Sequence, residues 1–170
     1  GLKSLMINGR KCLDNPEDYN ARAEMMLVCT YGCNDIYSLG NSQSGWPCHG
    51  MEHALSAYYD ITHGEGLAII TPRWMKHILS DKTVDRFVKY GVNVFGIDSN
   101  LDKMEIANKA IEETYKFYES INIPMHLKDV GIDESRIETM AKHVADNEGL
   151  ENAWAPLLQE DIAAIFRASL

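Results

Sequence analysis

The sequence predicts an all-α fold of about seven or eight helices, gathered in a single domain over residues 1–170. Three observations predict it. Apolar residues recur at helical spacing through most of the chain, helix-start signals punctuate it, and strand signals are nearly absent. The best strand candidate runs from Val92 to Phe95, and four residues make a weak case.

Taken in order, Gly1 to Met6 already reads as helix, with no capping residue before it. That is the pattern of a chain beginning partway through something larger. Asn15, Pro16, Glu17 and Asp18 form a helix start: a capping side chain, Pro at the first helical position, then two acids facing the positive end of the dipole. Tyr19, Ala23, Met26, Leu27, Thr30 and Cys33 follow at helical spacing, so this helix is expected to reach about residue 39. Residues 40–47 are a polar break containing Gly and Pro. A second helix is expected from about 48 to 60. Thr62, His63 and Gly64 open a third, through Leu67, Ile70, Trp74 and Ile78, with a kink at Pro72. Residues 81–90 form a short helix closed by Gly91. Asp98 and Ser99 precede a long helix over about 101–121, ended by Asn122, Ile123 and Pro124. Asp133 begins another, with Ile137, Met140, Ala141 and Val144 on one face, and residues 159–170 form the last.

Composition bounds the function. Hydrophobic residues make up 45% and charged residues 24%, ordinary for a globular protein. Sixteen basic against 25 acidic side chains leave a net charge of −9. That charge argues against nucleic acid and against a polybasic membrane contact. No apolar run approaches the ~18 residues of a membrane span. Cys12, Cys29, Cys33 and Cys48 form no CxxC pair, so they read as reduced, mostly buried thiols of a cytoplasmic protein.

Chemistry concentrates in one short segment. Three of the six histidines, His49, His53 and His63, fall within fifteen residues. His49 and His53 are spaced i, i+4 and share a helix face, with Cβ atoms about 6 Å apart. On one straight helix His63 would lie about 21 Å from His49, too far to share a metal. The chain must therefore turn, and Asp60, Ile61 and Thr62, followed by Gly64 and Gly66, supply the place. His63 then sits at a helix N-terminus, whose positive end disfavours an imidazolium and keeps the ring able to bind a cation. A lone His is more often a surface or hydrogen-bonded residue, and His77, His126 and His143 read that way. His49, Glu52 and His53 also match the inverted zinc-protease pattern H-x-x-E-H. That fold needs a distant carboxylate, and Glu119 or Glu134 could be nominated only arbitrarily.

A longer string discriminates better. Gly45, Trp46, His49, Glu52, His53, Ala54, Leu55, Ala57, Ile61, His63, Gly64, Leu67, Ala68, Ile69, Pro72 and Trp74 stand where a family signature has them. This segment resembles the iron-containing alcohol dehydrogenases, in the branch of the NADPH-dependent butanol dehydrogenases and related aldehyde reductases. The resemblance implies the helical C-terminal half of a two-domain enzyme, a dehydroquinate synthase-like α domain. The N-terminal α/β dinucleotide-binding domain would be absent from residues 1–170. By the same resemblance His49 and His63 are metal ligands for Fe(II) or Zn(II). An Asp and a further His complete the set from upstream of Gly1. His53 lies near metal and substrate as a catalytic, proton-relaying residue. Trp46 lines the substrate pocket or anchors its loop, and Cys48 is structural.

The implied enzyme interconverts butanol-like primary alcohols and aldehydes with NADPH or NADH. The dinucleotide is held mainly by the other half, so the isolated chain is expected to be inactive. The implied partners are a small alcohol or aldehyde, the chain's own N-terminal domain, and a second copy in a homodimer. Two readings from other classes stay open: a zinc hydrolase with Glu52 as base, and a non-catalytic helical module.

Overall fold

The computed structural model describes residues 1–40 and 45–170. Among them are eight α-helices and no strand, which is the all-α class the sequence predicts. Half of the break expected over residues 40–47, positions 41–44, lies outside the described residues. The chain divides into two compact units, Gly1–Ser42 and Gln43–Leu170.

The first unit is a helical hairpin of α1 (Leu2–Asp14) and α2 (Tyr19–Cys33), closed by a 3₁₀ turn at Ile36–Ser38. Ser4 on α1 donates to Glu24 on α2 at 3.0 Å. Helix α2 starts later than the Asn15 signal suggests. Asn15 ends α1, its N–H bonding back to Lys11, and its side chain accepts from the Glu17 N–H at 3.1 Å in a local turn. Asp18 is the cap, accepting from the Ala21 N–H at 3.0 Å. The helix also ends six residues short of residue 39. Asn34 accepts from the Ile36 N–H, and Asp35 turns left-handed at φ 61°, so local side-chain bonding outcompetes another helical turn. The predicted apolar stripe exists but does not face a core: Met26 is 72% exposed, Tyr19 and Leu27 are exposed too, and Ala21 is the buried position.

The second unit holds α3 (Pro47–Tyr59), α4 (His63–Ile78), α5 (Val84–Tyr90), α6 (Lys103–Ser120), α7 (Ile137–Asn147) and α8 (Gln159–Ala168). Helix α3 packs on α4 and α7, α4 on α6 and α8, and α7 on α8. Their shared core includes Met51, Leu55, Ile69, Ile70, Met140, Val144, Ile162 and Phe166, all fully buried. Burying side chains of this size stabilises the fold by about 1.5–3 kcal/mol each.

Local chemistry again shifts the predicted boundaries. Pro47 opens α3 at the position where a missing N–H costs nothing. Helix α4 continues through Pro72 to Ile78. Buried Thr83 donates to the Ile78 carbonyl at 2.7 Å and so makes the corner into α5, which begins three residues after Asp81. Gly91 stands at the C-cap of α5 as predicted, but in right-handed geometry, φ −60°, rather than the left-handed turn that usually stops a helix. The chain passes through it into a π-helical turn, Gly91–Phe95, and stops at Gly96 in left-handed geometry. The weak strand candidate is that turn. A Cβ on Gly91 would lie 3.1 Å from Ala110 Cβ and from Ile106 Cγ2, so its bareness lets the turn press onto α6. Asp133 caps a 3₁₀ turn (Glu134–Arg136) that leads into α7, whose buried residues are Ile137, Met140, Ala141 and Val144 as the spacing predicts.

All four cysteines are free. They are not mostly buried, however: Cys29 and Cys33 are exposed on α2, and Cys12 and Cys48 are half-buried.

Candidate metal centre

The junction between α3 and α4 brings the three histidines together. Helix α3 ends at Tyr59. Asp60 caps it in left-handed geometry, φ 53°, its N–H bonding to the Ser56 carbonyl, and α4 begins three residues later with His63. This short reversal returns His63 to the His49 and His53 face. Ring centroids are 5.3 Å apart for His49 and His63, 5.8 Å for His53 and His63, and 6.3 Å for His49 and His53. Trp46 stands edge-on to His49 at 4.7 Å, with its indole about half exposed.

Behind the exposed rings lies a buried carboxylate. Glu52 is 0% exposed, while the His53 and His63 side chains are 59% and 49% exposed. One Glu52 oxygen accepts from the Ser56 hydroxyl and the other from Nδ1 of His63. An ionised carboxylate only accepts, so opposite an ionised Glu52 the His63 ring carries a proton on Nδ1, and the neutral tautomer of that kind has its lone pair on Nε2. Glycine opposite makes the room: a Cβ on Gly66 would come 2.7 Å from Glu52 Cγ. On the outer side His53 Nδ1 lies 3.8 Å from a Glu148 oxygen. Gly50 clears space for that side chain, since a Cβ there would sit 2.9 Å from Glu148 Cγ.

The donor set fits a divalent metal of the borderline class. The His49 imidazole is held below its ordinary value, first by burial and then by the neighbouring His63 and His53, with Glu52 opposing, so the ring is kept neutral. Two imidazoles sharing a tetrahedral ion through nitrogens at about 2.1 Å have centroids roughly 5 Å apart, close to the His49–His63 spacing. A different grouping is tighter by ligand atoms alone. Among the described residues, Glu52, His53 and His63 present donors within 4.8 Å of one another. We favour His49 with His63, because both Glu52 oxygens already have protein partners and the carboxylate has no open face.

The other nominated residues lie elsewhere. His77 bonds Asp161 at 2.9 Å, His143 packs edge-on to Tyr58, and His126 is exposed ahead of a 3₁₀ turn. Glu119 and Glu134 are exposed and do not join the metal-binding group among the described residues. Burial pushes the Cys48 thiol up to about 12 against a Thr71 hydrogen bond, so it is a poor ligand. Sequence reasoning missed the tie from Glu52 to His63 and the approach of Glu148 to His53. The i, i+4 spacing of Glu52 and Ser56 is too common on helices to mark the first. No local signal marks the second.

Comparison with known proteins gives the same frame. The family model of the C-terminal part of Fe-containing alcohol dehydrogenases matches residues 1–170. The NADH-dependent butanol dehydrogenase A of Clostridium acetobutylicum is 45% identical over 169 residues, covering 99% of this chain and 43% of that protein. The crystal structure of NADH-dependent butanol dehydrogenase A from Thermotoga maritima superimposes with a TM-score of 0.87 at 31% identity, covering 98% of this chain and 43% of that one. The substrate- and cofactor-free aldehyde reductase YqhD of E. coli gives 0.91 at 26%, covering 99% and 44%. The chain thus spans about two fifths of the length of the relatives it matches.

Proposed function

From the premise that this chain belongs to the iron-containing alcohol dehydrogenase family, as its C-terminal domain, we propose that it is the metal-binding half of an NAD(P)H-dependent enzyme interconverting butanol-like primary alcohols and aldehydes. The observation that carries the reading is the convergence of His49, His53 and His63 at the α3–α4 junction.

In this reading His49 and His63 hold Fe(II) or Zn(II), with an Asp and a His supplied from upstream of Gly1. When bound, the metal supplies Lewis-acid polarisation of the alcohol or carbonyl oxygen, and the nicotinamide carries the hydride. This chain's own residues do the rest. Neutral His49 donates a lone pair without first losing a proton. His53, on the same face and open to solvent, accepts the alcohol proton and passes it outward, with Glu148 beside its Nδ1. Trp46 lines the approach to His49.

The relatives from Clostridium and Thermotoga carry NADH in their names, which favours NADH over the NADPH first expected. The dinucleotide-binding domain, a homodimer and a cytoplasmic setting belong to the same proposal. No helix among the described residues is long and apolar enough to cross a membrane. The zinc-hydrolase reading loses support, because its general base would be Glu52, a carboxylate with no exposed surface.

The test is metal content and affinity of the chain extended upstream with its dinucleotide-binding half. His49→Ala and His63→Ala are expected to lose the metal, and His53→Ala to keep it while losing most butanal reduction. The 170-residue chain alone is expected to show no alcohol-dependent reduction of nicotinamide. Metal loss in both His49→Ala and His53→Ala with retention in His63→Ala would instead make the H-x-x-E-H site the real one and overturn the dehydrogenase reading.

A further inference from the structure

The metal-ligand reading leaves one buried group without a task. Glu52 is fully enclosed, and a buried carboxylate is costly unless its charge is matched by well-placed donors. It has two, from different elements: the Ser56 hydroxyl one turn further along α3, and Nδ1 of His63 at the first residue of α4. Ser56 also lies 3.2 Å from the Ile61 carbonyl, on the segment that reverses the chain. Gly66, the only residue type that leaves Glu52 Cγ its space, completes the enclosure from α4.

We propose that Glu52 is a positioning residue for His63, locking its ring with Nδ1 protonated and Nε2 turned outward to the metal. The inference rests on the reading of His63 as a ligand. A ring 49% exposed is otherwise free to flip about its terminal torsion or to change tautomer, and either would remove Nε2 from the His49 side. Glu52 fixes both at once. It does not touch substrate and does not itself take the metal.

Three readouts test this on the upstream-extended protein, starting with metal affinity by chelator competition using Zn(II) alone. Glu52→Gln keeps the side-chain shape and is expected to weaken Zn(II) binding 10- to 100-fold, the range for removing a carboxylate behind a ligating histidine. ¹⁵N imidazole spectra of the metal-free protein are expected to show His63 in the Nδ1–H form in the parent and a mixture in Glu52→Gln. Gly66→Ala leaves the carboxylate in place but pushes it, and is expected to weaken binding in the same direction. It also keeps the test alive if Glu52→Gln folds poorly. Thermal unfolding without metal provides the control that separates positioning from folding.

The outcomes separate. Loss of metal in His63→Ala with parent affinity in both Glu52→Gln and Gly66→Ala overturns the positioning role while leaving the ligand reading intact. Loss in Glu52→Gln as complete as in His63→Ala makes Glu52 a ligand and also overturns it. Parent affinity in His63→Ala removes the ligand reading and the inference with it.

Discussion

Cys48 and His49 are adjacent on α3, yet they meet different surroundings. The Cys48 sulfur is desolvated and bonded to Thr71, and its thiol is pushed up to about 12. The next ring stands among histidines and is kept neutral. A thiol that stays protonated is a poor nucleophile. Native protein at pH 8 is therefore expected to be alkylated at Cys29 and Cys33, which are exposed, with Cys48 modified only after unfolding. Peptide mapping after a short iodoacetamide pulse checks this, and rapid native labelling of Cys48 would contradict it. At this scale the sequence carried much of the site. His49 and His53 were legible because i, i+4 spacing on a helix places two side chains on one face whatever surrounds them. His63 was legible because only a turn could bring it back. The Glu52 partnership was not, since an acid beside a Ser one turn away is common on any helix. Glu148 reaches His53 from α7's end, and nothing local announces that.

Between helices, boundaries depend on which of several polar side chains wins the orphan amides. Asp98, Ser99 and Asp102 all precede α6 and all suit an N-cap. Asp98 instead accepts from the Asn100 N–H in a local turn, and Asp102 accepts from both Met104 and Glu105 N–H at 2.8 and 3.3 Å. Competing short-range bonds of this kind carry no signature in the apolar periodicity, which is why the starts of α2, α5 and α7 were misplaced, while α4 at His63 and α8 at Gln159 begin where the sequence put them. Substituting Asp102 by Ala is expected to cost about 0.5–2 kcal/mol of stability. Asp98→Ala, outside the helix, is expected to cost less. Urea midpoints of the two variants decide it, and an equal or larger loss at Asp98 would move the functional cap back to where the sequence alone put it. The α2 stripe carries the complementary lesson. Periodicity identified a helix face correctly, but it cannot say what lies against that face, and Met26 and Tyr19 are exposed.

For the molecule as a whole, burial of titratable groups predicts how the fold responds to alkali. Tyr118, on α6, is pushed up to about 12, mainly by burial and then by the neighbouring Tyr90 and Cys48. Tyr90 is raised too, by burial against its hydrogen bond with Thr114. In the unfolded chain a phenol ionises near 10.0 and a thiol near 9.0. Above those values the unfolded chain has released protons that the fold still retains, so rising pH draws the equilibrium toward unfolding. The stability these groups contribute is fully present below pH 9 and is lost progressively between about 9 and 12. Two pH units for Tyr118 correspond to at most about 3 kcal/mol. Urea midpoints of metal-free protein are therefore expected to hold from pH 7 to 9 and to fall steadily above it. Tyr118→Phe cannot ionise, so its curve is expected to flatten above pH 10 relative to the parent. The difference between the two curves reports the Tyr118 phenol together with its coupling to Tyr90 and Cys48. Parallel curves through pH 12 would mean that Tyr118 ionises in the fold as easily as outside it, and that the face of α6 around Tyr118 is open to water.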